Sequence, residues 1–170
     1  MEALEKITSA IGKKLEGRKP SLDRDDNLWD AAVLLPLVNT QQGVSVLFEV
    51  RAAKLGWQPG DVCFPGGRAE CSDESFEATA VRETCEELGL ESSSIKIAGG
   101  LNYLVTHMGP VIHPYVGYIE HSGQFNFNKD EVDEVFTVPL DFLLKNPPRI
   151  AHMEPVSYTH LRAHETDQYL

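Results

Sequence analysis

Residues 64–90 read FPGGRAECSDESFEATAVRETCEELGL, a stretch in which two glycines lead into one predicted helix. The helix is predicted over residues 73–88, and Gly89 follows it at the position where helices commonly end in a left-handed residue. Gly66 and Gly67 can take backbone angles closed to other residues, so the main chain can approach a ligand closely there. The stretch therefore predicts a loop and a helix that build one binding site together.

Three glutamates of the predicted helix lie on one side of it. Residues three and four apart share a helix face, which places Glu83, Glu86 and Glu87 within an arc of ~100°. Their like charges oppose helix formation, and a hard divalent cation with oxygen ligands offsets that repulsion. A lone E-x-x-E-E pattern is more commonly a solvated acidic surface. The opposite side of the helix is predicted to be buried, and it carries Ala78, Val81, Cys85 and Leu88.

The same stretch resembles the signature of the Nudix hydrolase family, G-x5-E-x7-R-E-U-x-E-E-x-G-U, in which U is apolar. Two features depart from that signature. Six residues instead of five separate Gly67 from Glu74, and Thr84 stands where an apolar residue is usual. The resemblance implies an α/β fold with a mixed α+β sheet, the Nudix α/β/α sandwich. The matching positions are Gly67, Glu74, Arg82, Glu83, Glu86, Glu87, Gly89 and Leu90.

Residues 47–67, LFEVRAAKLGWQPGDVCFPGG, resemble the segment that precedes this signature in the coenzyme A (CoA) diphosphatase subgroup of the family. Residues 130–144 resemble the same subgroup, whereas Ala52 replaces its usual serine. The resemblance implies that a small nucleotide-diphosphate substrate, CoA, is cleaved to 3′,5′-ADP and 4′-phosphopantetheine. Two alternatives stay open. One is a Nudix hydrolase of another nucleoside diphosphate derivative, such as ADP-ribose, NADH or an oxidised nucleotide, and the other is a non-catalytic Nudix-like binding module.

The resemblance also implies which residues hold a metal ion. Glu83, Glu86 and Glu87 are expected to hold Mg²⁺ or Mn²⁺, with the backbone carbonyl of Gly67 as a further ligand. The general base stays open among Glu83, Glu87 and Glu131, and Glu131 can equally be a solvated loop residue.

Other residues near the signature are expected to shape the loop or to meet the substrate. Arg82 is predicted to pair with Glu74 and to fix the junction of loop and helix. Arg51, Lys54 and Arg68 are basic and flank the signature, so they are candidates for contact with substrate phosphate, although isolated basic side chains are commonly solvated. The residues given structural roles are Gly66, Glu74, Arg82 and Gly89.

Composition limits the class of protein further. The chain has 170 residues and a net charge of −11, which disfavours binding to nucleic acid. No apolar run approaches the ~20 residues that span a bilayer. The three cysteines are odd in number and lack metal-ligand spacing, so reduced thiols and a cytoplasmic location are expected. The sequence leaves both a monomer and a homodimer open.

The two ends of the chain differ from its centre. Residues 1–29 are predicted to hold a short amphipathic packing helix with Leu4, Ile7, Ile11 and Leu15 on one face. Residues 30–155 are predicted to form the Nudix domain. Residues 156–170, VSYTHLRAHETDQYL, resemble the translation of a DNA-sequencing adapter. We therefore expect a non-native tail, in which His160 and His164 have no function, and a domain truncated at its C-terminus.

Apolar and β-branched runs predict the remaining elements. Strands are predicted over residues 30–38, 44–50, 62–64, 95–105, 111–119 and 134–138. A turn is predicted at residues 108–110, and a short helix over residues 141–144 before two prolines.

Overall fold

One mixed β-sheet lies at the centre of the fold in the computed structural model, which describes residues 2–16, 29–106, 110–120 and 123–147. Within those residues the sheet has eight strands, and its main path runs β3-β2-β1-β7-β5. The strands are β1 (Trp29–Thr40), β2 (Gly43–Arg51), β3 (Val62–Cys63), β4 (Gly66–Arg68), β5 (Ile95–Gly100), β6 (Leu104–Val105), β7 (Pro110–Ile119) and β8 (Val132–Pro139). The helices are α1 (Glu2–Leu15), α2 (Phe76–Leu88) and α3 (Leu140–Lys145).

Strand direction and register place β1 at the middle of this sheet. β1 runs parallel to β7, with Trp29 opposite Pro110 and Leu37 opposite Tyr118. It is antiparallel to β2 and to β4. β2 also pairs with β3 and β8, and β7 pairs with β5 and β6, all antiparallel. Helices cover both faces of the sheet at β1, which fits the near-continuous hydrophobic run of this strand.

Alternate residues of the central strands supply two separate cores. Ala32, Leu34 and Leu47 belong to the cluster that packs against α2. Leu37 and Val46 belong to the cluster on the other face, which α1 and α3 cover. This alternation follows from the two-residue period of a strand. The predicted α/β/α sandwich with a mixed sheet is therefore confirmed.

Helix α1 packs on the sheet through its apolar face, as predicted. Leu4 is 1% exposed, and Ile7 and Ile11 lie against the same cluster. The approach is close, because a Cβ on Gly12 would come 2.9 Å from the carbonyl oxygen of Ala98 on β5. Burial of a leucine side chain contributes about 1.5–3 kcal/mol. None of the helices described here is both long enough and apolar enough to cross a membrane.

Several element bounds differ from the sequence prediction. The single strand predicted over residues 95–105 is two strands, β5 and β6, which residues 101–103 separate. Within β5 the register also shifts between Ile97 and Gly99, which has φ +157°. β4 was not predicted, since Gly66–Arg68 lacks an apolar pattern and is held in the sheet by backbone pairing with β1. Residues 107–109 of the predicted turn, the tail 156–170 and the expected truncation after residue 150 lie outside the described residues.

Candidate active site

Residues at both ends of helix α2 define where it begins and where it ends. The helix begins at Phe76, three residues later than predicted, because the Ser75 side chain accepts a hydrogen bond from the Ala78 N–H and acts as the N-cap. It ends at Gly89, which has φ +66°. A Cβ at that position would lie 2.2 Å from the carbonyl oxygen of Asn126, so the close approach of the next loop also requires glycine.

The buried side of α2 is not the one predicted. Of the predicted stripe Ala78, Val81, Cys85 and Leu88, only Leu88 is fully buried, while Val81 and Cys85 pack partly against the core. The helix contacts β1 and β4, and small side chains at the contact let it lie close to the sheet. The buried residues of α2 are Thr79, Ala80, Thr84, Glu87 and Leu88. One signature glutamate therefore points inward instead of to solvent.

Glu87 is that glutamate, and the glycine strand holds it. Its side chain is buried, and Oε2 accepts a hydrogen bond of 2.8 Å from the Gly66 N–H. Gly66 has φ +152°, and a Cβ there would come 2.3 Å from the Ala32 carbonyl oxygen. Only glycine can therefore bring the β4 backbone between β1 and the Glu87 carboxylate.

Glu83 lies one helical turn before Glu87, against the second glycine. A Cβ on Gly67 would come 2.4 Å from the carboxyl carbon of Glu83, so the backbone at Gly67 is in direct contact with that carboxylate. Glu83 Oε1 accepts a hydrogen bond of 3.0 Å from Arg82. Of the predicted site residues, the structure thus brings Gly66, Gly67, Glu83 and Glu87 together.

The prediction that Arg82 pairs with Glu74 is wrong, because its partner is Asp73. Arg82 Nε donates to Asp73 Oδ1 at 2.9 Å and Nη2 donates to Oδ2 at 3.0 Å, a two-pronged pair that favours a guanidinium. Glu74 is exposed and receives no hydrogen bond from Arg82. Asp73 is separated from Gly67 by five residues, so the added residue lies between the acid and Arg82 instead of before the acid.

The Asp73 contacts also explain its charge state. The guanidinium of Arg82 and the backbone N–H of Glu70 hold the pKa of Asp73 well below its usual range. Thr79 donates a further hydrogen bond to Oδ2 at 2.9 Å. Asp73 is therefore a charged anchor that ties the loop before α2 to the helix itself.

Glu49 on β2 is a buried carboxylate that the sequence analysis missed. It is 1% exposed and alternates with Leu47, so it lies on the sheet face that α2 covers. The Cys63 thiol donates to Glu49 Oε1 at 3.4 Å. The signal was available, because a glutamate inside the apolar run VSVLFEV of a buried strand is costly to bury without a role.

Acidic groups crowd together where α2 meets the sheet. Burial raises the pKa of Glu87, and the charge of Glu49 raises it further. Burial likewise raises the pKa of Glu49 and of Glu83. The charge of Arg51 lowers the pKa of Glu49, and the charge of Arg82 lowers that of Glu83. These carboxylates therefore lie close enough to repel one another in a region that water reaches poorly.

Two other predicted acids lie at the rim. Glu86 is exposed and its Oε2 accepts a hydrogen bond of 3.3 Å from Arg82. Glu131 is exposed in the loop before β8, where its carbonyl accepts from the Ala52 N–H at 2.8 Å. Its charge contributes to the raised pKa of Glu49, Glu83 and Glu87. Glu131 therefore lies beside the buried group, although 43 residues separate it from Glu87 in sequence.

The three basic candidates have different surroundings. Arg51 Nε donates to the Trp57 carbonyl at 3.4 Å, and its charge lowers the pKa of Glu49, so it lies beside the acidic group. Lys54 forms an exposed ion pair with Asp130. Arg68 stacks over the Trp29 ring, 5.3 Å from its centroid. Of the three, Arg51 has the most direct link to the carboxylates.

The chemistry of these donors fits a hard cation. Over the described residues, no group of three or more His, Cys, Asp or Glu side chains is already arranged to hold a metal ion. Like charges repel, so carboxylates that lie close together are neutralised by a bound cation or by protonation. One oxygen, Glu49 Oε2, is buried and has no hydrogen-bond partner. An oxygen-rich, negatively charged and partly dry region is the environment that Mg²⁺ or Mn²⁺ prefers.

Fold and site together define a class of proteins: an α/β/α sandwich in which glutamates of one helix face a glycine strand of the sheet. The sequence profile of the NUDIX domain matches residues 28–159. The chain therefore belongs to the Nudix family, as the signature in residues 64–90 predicted. Nudix hydrolases generally use divalent metal ions.

Curated relatives agree with this membership. Peroxisomal coenzyme A diphosphatase NUDT7 of Mus musculus is 37% identical over 126 residues, 74% of this chain and 52% of that protein. An uncharacterized Nudix hydrolase NudL of Pectobacterium atrosepticum is 37% identical over 122 residues, 72% of this chain and 63% of that protein. The chain thus spans between about half and two thirds of the length of these relatives.

Solved structures share the fold. The Nudix hydrolase RenU of M. Smegmatis has a TM-score of 0.56 at 22% identity, over 72% of this chain and 79% of that one. The NUDIX domain of Shewanella oneidensis NrtR, solved with ADP ribose, has a TM-score of 0.54 at 20% identity, over 79% of this chain and 86% of that one. At these identities the likeness shows the fold alone.

Proposed function

We propose that this chain is a metal-dependent diphosphatase that cleaves CoA or a CoA derivative to 3′,5′-ADP and 4′-phosphopantetheine. The observation that carries the proposal is the pair of carboxylates, Glu83 and Glu87, held by α2 against the glycines of β4. The choice of CoA is supported by residues 47–67 and by the identity of 37% to a coenzyme A diphosphatase. A cytoplasmic location stays a prediction, because that relative is described as peroxisomal.

The proposed metal-binding residues are Glu83, Glu86 and Glu87, with the Gly67 carbonyl as a further ligand and Mg²⁺ or Mn²⁺ as the ion. When bound, such an ion neutralises diphosphate charge and lowers the pKa of water. The chain keeps its ligands in place through its own contacts. The Gly66 N–H orients Glu87, and Arg82 holds both Glu83 and the loop that begins the helix.

The reaction adds water across one phosphoanhydride bond. The water oxygen forms a bond to one phosphorus, the bridging P–O bond breaks, and the leaving phosphate takes the electron pair. A carboxylate must accept the proton of the water, and the proposed candidates are Glu83, Glu87 and Glu131. Arg51 is the best placed of the basic residues to meet substrate phosphate, since it lies beside the acidic group. Lys54 and Arg68 are proposed as weaker contacts.

The direct test compares Glu87→Gln with Glu77→Gln in the full chain. Both variants change one glutamate of α2, but Glu77 is exposed in the first turn of the helix. Loss of a residue that only supports a metal ligand costs up to ~100-fold, and Glu87 is proposed as a ligand itself. We therefore expect Glu87→Gln to lower turnover by at least ~100-fold. Glu77→Gln should keep wild-type turnover. Full activity of Glu87→Gln, with circular dichroism unchanged, would remove Glu87 from the site.

A substrate panel tests the choice of CoA. Purified chain is mixed with Mg²⁺ and with CoA, ADP-ribose, NADH or an oxidised nucleotide, and the products are separated by chromatography. Formation of 3′,5′-ADP from CoA at the highest kcat/KM supports the proposal. Preferred cleavage of another member assigns the chain to another Nudix activity. Metal binding without cleavage of any member favours a non-catalytic binding module. A homodimer stays a prediction, which sedimentation of the same sample checks.

A further inference from the structure

Glu49 lies outside the Nudix signature, on a different element from the signature glutamates. It comes from β2, opposite Val135 of β8 and Cys63 of β3, in the interior of the sheet. Its neighbours in the face that α2 covers are apolar, among them Leu47. A carboxylate at such a position loses its hydration, so its charge is either compensated by a partner or removed by protonation.

The hydrogen bonds of Glu49 leave half of its carboxylate without compensation. Oε1 accepts from the Cys63 thiol, a weak donor, at 3.4 Å. Oε2 is buried and has no partner. Buried side-chain oxygens in folded proteins nearly always have a partner, so an orphaned one needs an explanation such as a bound ion.

The charge of Glu49 acts on the signature glutamates. After burial, the charge of Glu49 is the largest cause of the raised pKa of Glu87, and the charges of Glu131 and Glu83 raise the pKa of Glu49 in turn. Four carboxylates from β2, α2 and the loop before β8 therefore share one region of the molecule. Arg51 is the cation that acts on Glu49 there.

We infer that Glu49 is a further ligand of the metal centre, binding the divalent cation through Oε2 from the sheet side while Glu83 and Glu87 bind it from the helix. This inference rests on the proposed function only for the presence of a cation at Glu83 and Glu87. It accounts for the orphaned oxygen, for the position of Glu49 in a buried strand and for the crowding of like charges. It also makes β2 part of the active site.

A purely structural Glu49 predicts a different result. Glu49→Gln keeps an oxygen that can accept from the Cys63 thiol, so if the thiol contact were the role of Glu49, the variant would keep its metal affinity. If Glu49 is a ligand, Glu49→Gln removes one of several repelling charges, so the metal-free chain melts no lower, and metal binding weakens. Metal affinity, measured beside metal-free stability, therefore separates the two readings.

The test measures Mn²⁺ binding to the full chain by electron paramagnetic resonance at fixed pH, and melting temperature in EDTA. Glu134→Gln is the matched control, because Glu134 is exposed on β8 opposite Val50, on the sheet face away from Glu49. We expect Glu49→Gln to raise the Kd for Mn²⁺ by ~10-fold or more and to melt in EDTA no lower than the wild type. Glu134→Gln should match the wild type in both measurements.

A Kd for Glu49→Gln within about twofold of the wild type overturns the inference, as does a wild-type chain that binds no Mn²⁺. If Glu49→Gln does not fold, Glu49→Asp decides, because it keeps the charge but withdraws the oxygens by one methylene; unchanged affinity then overturns the inference. CoA turnover is recorded separately. If the wild-type chain does not cleave CoA but Glu49→Gln still binds Mn²⁺ more weakly, the proposed function is contradicted and the inference is supported.

Discussion

Arg82 connects the loop before α2 to the turn of the helix that carries Glu83 and Glu86. One end of its guanidinium holds Asp73, before the helix, and the other holds Glu83 and Glu86 within it. A third contact reaches the Arg68 carbonyl of β4 at 3.2 Å. A single side chain thus sets the distance between the glycine strand and the glutamates, which is why the identity of its acidic partner matters.

Asp73→Asn and Glu74→Gln separate the structural partner from the signature position. Hydrogen bonds to charged groups contribute ~1.5–3 kcal/mol, so Asp73→Asn should lower the free energy of unfolding by about 2 kcal/mol at pH 7. Glu74→Gln should change it by less than ~0.5 kcal/mol. Urea unfolding of the two variants measures both values. An equal loss in both variants would contradict the assignment of Asp73.

The same pair gives a pH dependence with a defined sign. The pKa of Asp73 is lower in the folded chain than in the unfolded one, so the folded state favours its charged form. That stabilisation is present above the unfolded pKa of ~4 and is lost as the pH falls below it. The difference in stability between wild type and Asp73→Asn should therefore shrink between pH 7 and pH 3. A constant difference would show that the charge of Asp73 is not what stabilises the loop.

Gly67→Ala tests the contact between the glycine strand and Glu83. The new Cβ would meet the end of a flexible side chain, which can move, so stability should stay near wild type. Glu83 must move with it, and a displacement of 1 Å can cost ~100-fold in rate. We expect turnover to fall on that order. Gly56→Ala is the control, because nothing lies within 4 Å of its Cβ. Equal turnover in both variants would argue against the Glu83 role.

Much of the site was predictable at this scale, and the exceptions have physical causes. Gly66, Gly67, Glu83 and Glu87 were found because glycine pairs and carboxylates at helical spacing leave a pattern in the sequence. Asp73 was missed because the signature was matched to Glu74, one residue later in the sequence. The Arg82 side chain is long enough to pair with Asp73 instead. Glu49 was overlooked because it comes from another element, and only folding places it beside α2.

At the scale of elements, local sequence signals determine the ends of α2, whereas packing on the sheet determines which of its faces is buried. Its ends follow from Ser75 and Gly89, which are readable from sequence. Its rotation is not readable, because the apolar residues Val81 and Cys85 lie at the edge of the contact while Thr84 lies fully inside it. The Thr84 hydroxyl donates to the Ala80 carbonyl at 2.7 Å, so the helix satisfies this polar group itself and can bury it.

Gly89→Ala and Gly43→Ala test the end of α2. Both glycines have positive φ, +66° and +99°, and an alanine in that region costs ~1–2 kcal/mol. Only at Gly89 does the Cβ also meet a carbonyl, that of Asn126, at 2.2 Å. Gly89→Ala should therefore be at least ~1 kcal/mol less stable than Gly43→Ala in urea unfolding. Equal losses would mean that the loop at Asn126 moves away freely.

The strands divide in the same way. β1, β2 and β7 were predicted because their apolar, β-branched runs match strands buried on both faces. β4 escaped prediction because backbone pairing with β1 leaves no trace in side-chain pattern. The element that carries both site glycines is thus the one that only the three-dimensional arrangement defines.

At the scale of the whole molecule, the two faces of the sheet carry different kinds of residues. The face under α2 carries the carboxylates, whereas the face under α1 and α3 carries an apolar cluster that includes Leu4, Leu37 and Val116. The helix α1 therefore packs on the sheet face opposite the one that carries the carboxylates. Stability and catalysis should respond separately to changes on the two faces.

Leu4→Ala tests this division. Leu4 is 1% exposed, and truncation of a buried leucine costs ~2–5 kcal/mol, so the free energy of unfolding should fall by that amount. At ~2–4 °C per kcal/mol, the melting temperature should drop by about 4 °C or more. Mn²⁺ affinity and turnover, measured well below the transition, should stay at wild-type values because the sheet separates α1 from the carboxylates. Glu5→Ala, an exposed position on the same helix, should alter neither property. A Leu4→Ala chain that melts normally, or that stays folded yet loses Mn²⁺, would contradict the separation of the two faces.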